Sequence, residues 1–232
     1  MGCSRYNGLM RLRKKTEESG ADATGGGLRD ERKLRTRRAL MDAALELIQG
    51  ERSFSSISLR EVAKVAGVVP AAFYRHFSGM EDLGLALVDD SFRTLHTMMR
   101  EARSAPLPPS NLIANSVATF LKYSQDHRPH FEFIAKERYS GSSAVRLAIR
   151  REIRLWTSEL AADLAPFPKL KSFNGDDLRM MAGLVVNTVI AATELILDVD
   201  TKDTAEVARI HRNAEKQIML IFLGAAAWKS QA

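Results

Sequence analysis

The chain has 232 residues, a net charge of +6, 45% hydrophobic residues, 7 Pro, 14 Gly and a single cysteine, Cys3. That length can bury a substantial core, and one cysteine excludes an internal disulfide or a cysteine-based metal cluster. The most apolar run, 180–197, carries Asn187, Thr188 and Glu194, so it reads as a buried helix rather than a membrane span; with no apolar export signal at the basic N-terminus, the expected location is cytoplasmic.

In chain order, residues 1–28 mix RLRKK with ESGADATGGG, show no periodicity and read as a flexible tail. Residues 29–49 predict an amphipathic helix through Leu40, Ala44, Leu47 and Ile48, ended by Gly50. Ser58-Leu-Arg-Glu61 is a capping-box pattern. Leu59, Val62, Ala63 and Ala66 form the inward stripe of a two-turn helix, with Gly67 where a left-handed residue would end it. Pro70 suits the first turn of a further short helix reaching Phe77. Ser78-Gly-Met-Glu81 reads as a second capping box, opening a long helix to about Arg103. After the break at 105–111, helices are predicted at 111–126, 130–139, 142–165, 176–198 and 203–227. No strand is predicted, and the fold class is all-α.

Charge follows this organisation. Residues 1–80 hold 15 Lys+Arg against 9 Asp+Glu, whereas 81–232 hold 19 of each. The whole excess sits on the first third, as expected of a polyanion-binding head on a neutral body. The helices at 58–66 and 70–77, joined by a glycine turn, have helix-turn-helix spacing. Phe73 and Phe77 lie four apart and can anchor the second helix from behind. A helix this short would melt in isolation, so its task is presentation. Ala71 and Ala72 permit close approach to a groove floor, while Tyr74, Arg75 and His76 can donate to phosphates. Arg60 and Lys64 on the preceding helix, and Thr36 and Arg37 on the first, are further candidates, with Ser58 and Val69 at the helix starts.

Ser58-Leu-Arg-Glu-Val-Ala, Ala66-Gly-Val, Phe73-Tyr-Arg-His-Phe-Ser and Glu81-Asp-Leu resemble the DNA-binding domain of TetR-type repressors over about residues 32–90. The resemblance departs at Met80, where that family commonly carries Lys, and at Ala71-Ala72, where polar residues are frequent and base reading is reduced to methyl contacts. The stretch 136–153, Lys-Glu-Arg-Tyr-Ser-Gly through Arg-Arg-Glu-Ile, is similar to the branch that represses unsaturated fatty-acid synthesis genes, the FabR/DesT type. The resemblance implies a DNA-binding domain at 29–78 and a ligand-binding and dimerisation domain at 79–232. It further implies a homodimer on palindromic operator DNA, with a long-chain acyl-CoA or related acyl thioester as effector and no cofactor.

The body offers candidates for that ligand. Phe92, Met98, Met99, Phe120, Phe131, Phe133, Ile134 and Trp156 could line an acyl tunnel or form plain core. Arg138, Arg146 and Arg150 could dock nucleotide phosphates or form part of a solvated face. On the last two helices, Met181, Val185, Val189, Ala192 and Leu195, then Val207, Ile210, Ala214, Ile218 and Ile221, are expected at the dimer seam. Catalysis and metal binding lack support: there is no usable Cys nucleophile, no Gly-rich phosphate loop and no His pair at metal-binding helical spacing. Two other readings stay open, a TetR-type repressor of efflux genes sensing a hydrophobic drug or metabolite, and a soluble lipid carrier that uses no DNA.

Overall fold

The computed structural model describes residues 20–50, 52–104, 112–200 and 202–230, with side chains outside 20–26, 99–104, 112 and 140. The expectations for residues 1–19, for the 105–111 break and for the Met99 side chain lie outside the described residues.

The described chain is helical: α1 Gly20–Leu47, α2 Leu59–Val65, α3 Pro70–Phe73, α4 Met80–Ser104, α5 Leu112–Asp126, α6 Arg128–Ser140, α7 Ser143–Leu164, α8 Gly175–Asp198 and α9 Thr204–Ala227. Short 3-10 turns stand at Phe54–Ser56 and Pro168–Leu170. The all-α expectation holds, and α4 to α9 begin and end close to where the periodicity put them.

Three boundaries differ. α1 starts at Gly20, inside the stretch read as tail, and runs on through Gly25, Gly26 and Gly27, although each glycine costs about 1 kcal/mol against alanine. α3 ends at Phe73 rather than Phe77. The second capping box is replaced by a different contact. With α4 starting at Met80, the carboxylate three residues past the cap is Asp82, which accepts from Ser78 N–H at 2.8 Å and Ser78 Oγ at 3.2 Å. Glu81 is exposed instead.

α1, α2 and α3 form the head. α7 packs against α4, α6 and α8, α9 lies on α8 and α5, and α6 touches α1, α4, α7 and α8. α8 is long and apolar enough to cross a membrane by length and composition, but Ala182, Val186 and Ile196 are buried against its neighbours. One apolar cluster runs without interruption from Leu40 and Phe73 in the head through Phe92 and Phe133 to Ile210 and Ile218. Burial therefore ties head to body, and α4 is not the only bridge between them.

Candidate nucleic-acid interface

Local chemistry builds the head's outer surface. Glu61 N–H donates to Ser58 Oγ at 3.3 Å, and the Glu61 carboxylate accepts from Ser58 N–H at 2.8 Å, so the predicted box is present. Arg52, 2.9 Å away, and then Ser58 hold the Glu61 carboxyl down at a pKa of about 2. Gly67, at φ +68°, lets the chain leave α2 in the left-handed conformation. Val68 N–H then reaches Ala63 O at 2.9 Å and Gly67 N–H reaches Lys64 O at 3.2 Å, closing the helix.

Pro70 opens α3 behind Val69, whose extended backbone (ψ 146°) sets the turn. Beyond Phe73 the chain tightens: Arg75 N–H bonds Ala72 O at 3.2 Å and His76 N–H bonds Phe73 O at 2.9 Å. These are three-residue steps of the kind that end short helices. The reading element is thus one α-turn and a tight turn, not two full helical turns. Phe73 and Phe77 are nonetheless fully buried, with ring centroids 5.5 Å apart.

The candidates in front of this anchor divide. Tyr74 is 64% exposed and Val69 67%, and Arg60, Lys64, Ala71 and Arg75 are also exposed. Together they make a cationic surface with an apolar tip, suited to phosphate rims and thymine methyls. Ala72 is half-buried. Ser58 spends its hydroxyl within the capping box, and Thr36 Oγ1 donates to Arg32 O at 3.0 Å.

Arg37 works from behind: its guanidinium donates to His76 O at 2.9 Å and lies 4.3 Å over the Phe77 ring. Its first task is therefore to strap α1 to the end of the reading turn. His76 is half-buried, with Nδ1 lacking a hydrogen-bond partner. Burial, then the charges of Lys33, Arg37 and Arg75, hold its pKa below the ordinary histidine value. Lys33, exposed on α1 and close enough to influence His76, was hidden in the sequence within the charged block 29–38.

In the body, Phe92, Met98, Phe120, Phe131 and Trp156 are buried. Phe120 stacks on Trp156 at 5.4 Å and meets Phe131 edge-on at 5.8 Å. The Trp156 indole N–H is buried without a partner, and Ile134 packs half-buried on the same core. Phe133 is fully buried core elsewhere: its ring meets Phe54 edge-on at 5.6 Å, between head and body. Of the arginines, Arg138 pairs with Glu194 at 3.2 Å and Arg146 donates to Gly141 O, while Arg150 is exposed.

Five of the ten residues expected at the seam need correction. Met181, Ala192, Ile210, Ala214 and Ile218 are buried within the single chain, and Val185, Val189, Val207 and Ile221 are half-buried. Only Leu195 of the expected set is exposed, at 53%. The open apolar side of α8 and α9 instead carries Met180, Leu184, Leu195, Leu220 and Leu223. Both helices have two apolar sides, and periodicity does not say which one α5 and α7 cover.

Comparison with known proteins agrees with this geometry. Residues 40–87 match the family model described as bacterial regulatory proteins, tetR family, and 109–223 match the tetracyclin repressor-like C-terminal domain. The fatty acid degradation regulator FadR from Bacillus halodurans superposes with a TM-score of 0.62 at 19% identity, over 78% of this chain and 94% of that one. FadR from Bacillus subtilis, solved in complex with stearoyl-CoA, gives 0.61 at 16% identity, over 78% and 96%. Reduced NemR from E. coli gives 0.58 at 21% identity, over 80% and 96%. At these identities the structures share the fold. With both its helix-turn-helix head and its helical body matched, the chain belongs to the TetR family of transcriptional regulators.

Proposed function

We propose that this chain is a dimeric, effector-responsive repressor of fatty-acid metabolism genes, unsaturated fatty-acid synthesis among them. It binds a palindromic operator and senses a long-chain acyl-CoA or related acyl thioester. The observation that carries the DNA-binding part is the split between buried Phe73 and Phe77 and exposed Val69, Tyr74, Arg75, Arg60 and Lys64. A chain that pins a turn from behind with two phenylalanines leaves its cationic front for a partner with phosphates.

The effector part is supported by the buried cluster of Phe120, Phe131 and Trp156, where an unsatisfied indole N–H could meet a carbonyl oxygen. A neighbour of the same fold solved with stearoyl-CoA supports the same reading. Of the three arginines Arg150 remains to take nucleotide phosphates, with exposed Arg154 one turn further along α7, since Arg138 and Arg146 are already engaged. Dimerisation through Leu184, Leu195, Leu220 and Leu223 would set two heads on successive major grooves, ~34–36 Å apart. Displacement of α4 by ligand would change that separation, with a coupling of about 1–3 kcal/mol.

Operator affinity, on sites selected from random duplex, is to be measured with palmitoyl-CoA, with oleoyl-CoA and with neither. A change with at least one thioester supports the reading. Unchanged affinity with both, alongside a response to aromatic cations, would transfer the protein to the efflux-type repressors.

A further inference from the structure

The joint between head and body contains a second set of contacts, made by two adjacent residues of α6. Lys136 Nζ reaches back to the end of α1, donating to Ile48 O at 2.6 Å, Gly50 O at 2.5 Å and Arg52 O at 3.4 Å. An ammonium has three protons, and it meets the carbonyl of Ile48, the residue that follows the last turn of α1, and two carbonyls of the connection beyond it. The positive charge also sits at the negative end of the α1 dipole.

Glu137 does the complementary task. It is only 1% exposed, and its Oε1 accepts from Phe54 N–H at 2.9 Å. Its Oε2 has no hydrogen-bond partner. A buried carboxylate held by one backbone donor is expensive as a contribution to stability, so its use here is positional.

Phe54, the residue so held, belongs to the head and inserts into the body. Its ring is buried, lies edge-on to Phe133 and fits where α4 has no side chain: a Cβ on Gly84 would come within 3.0 Å of both the Phe54 ring and Val145. A Cβ on Gly141 would approach Glu137 Oε2 to 2.8 Å, so α6 also ends in a glycine where the carboxylate needs room. On its other side α6 is tied to α8, through Arg138 to Glu194 at 3.2 Å and Arg128 to Leu197 O.

We propose that Lys136 and Glu137 are positioning residues for DNA binding: they grip the α1–α2 connection and its Phe54 plug, and so fix the head's orientation on the body. α4 alone, a single helix crossing between the two, leaves rotation about its own axis open. A second attachment at α6 closes it. This rests neither on the identity of the effector nor on dimerisation.

The test reads orientation rather than stability. Spin labels are placed on the head at Lys64→Cys and on the body at Arg151→Cys, in a Cys3→Ser chain diluted with unlabelled protein. The distance distribution between them is recorded by pulsed electron resonance, with thermal midpoints alongside. Lys136→Met and Glu137→Leu are expected to broaden or shift the distribution. Lys136→Arg keeps the carbonyl donors and Glu137→Gln keeps the acceptor for Phe54 N–H, so both should restore the parent distribution. Distributions for Lys136→Met and Glu137→Leu that superimpose on the parent, whatever the midpoints do, overturn the proposal. If Glu137→Leu does not fold, Lys136→Met decides by itself, since its partly exposed side chain leaves no cavity.

Discussion

The head and the body use their side chains differently. In the head, anchoring and presentation fall to different residues: Phe73 and Phe77 are buried, while Tyr74 and Arg75 beside them are exposed. In the body, the candidates for ligand contact are themselves the core, with Phe120, Phe131 and Trp156 packed ring on ring. A surface that meets a large rigid duplex can be laid over a finished core. A site that meets a small apolar molecule must be made from the core, so substitutions there alter stability and binding together, whereas on the head's front they should alter binding alone.

The body's open face gives the largest test of that contrast. Leu184→Glu with Leu220→Glu should convert the proposed dimer to monomer by sedimentation, since each leucine is worth about 1.5–3 kcal/mol when buried and two-fold symmetry counts each twice. Helical circular dichroism should persist. Met181→Glu, on the same helix but facing inward, should lose it. A double variant that stays dimeric would move the seam elsewhere on the chain.

Next in size is Phe73→Ala, expected to cost about 3–5 kcal/mol and to abolish operator binding. Because one apolar cluster joins head and body, the loss should appear in a single transition by both circular dichroism and tryptophan fluorescence. Two separated transitions would show the head unfolding by itself and would make the division between the regions deeper than the packing implies.

Smaller effects belong to the front of the head. Lys64→Ala and Arg75→Ala should each weaken binding across all sequences and lower the log–log salt slope by about one unit. Tyr74→Phe should weaken binding by about 0.5–1.5 kcal/mol without changing the slope. All three should leave stability within about 0.5 kcal/mol. A variant that loses stability in step with affinity would show that the front is also structural.

How much of this was legible in the sequence depended on the range of the interaction. The Ser58 box, Gly67, Pro70 and the paired phenylalanines act within a few residues, and the pattern located all of them. The same holds for α4 to α9, whose ends are marked by Pro, Gly and capping residues. One misreading is local: the cap of α4 lies one residue later than the Ser78 box implies, so Asp82 replaces Glu81. The others come from distant contacts. Arg37 looked like a free cation because its partner, His76 O, is 39 residues away. Lys136 meets Ile48 across 88 residues, a contact no local pattern encodes. Which side of α8 stays open was not legible because Met181 and Leu184 are equally apolar, and only the neighbouring helices decide which is covered.

His76 lies on the boundary between anchor and front, and its proton can tell which side it belongs to. In the free protein burial, followed by the charges of Lys33, Arg37 and Arg75, depresses its pKa, so the ring is neutral near pH 7. A phosphate brought to the ring favours the imidazolium and raises the pKa in the complex above that of the free head. Binding then takes up a proton, so affinity is greatest at low pH, falls as pH rises through the complexed value and is flat beyond it. The span is about tenfold for each unit separating the two pKa values. Operator affinity at constant salt from about pH 5.5 to about pH 8 should show this slope in the parent and lose it in His76→Gln. A parent profile as flat as the variant's would group His76 with Phe73 and Phe77 rather than with Tyr74 and Arg75, and the phosphate-contacting surface would then end at Arg75.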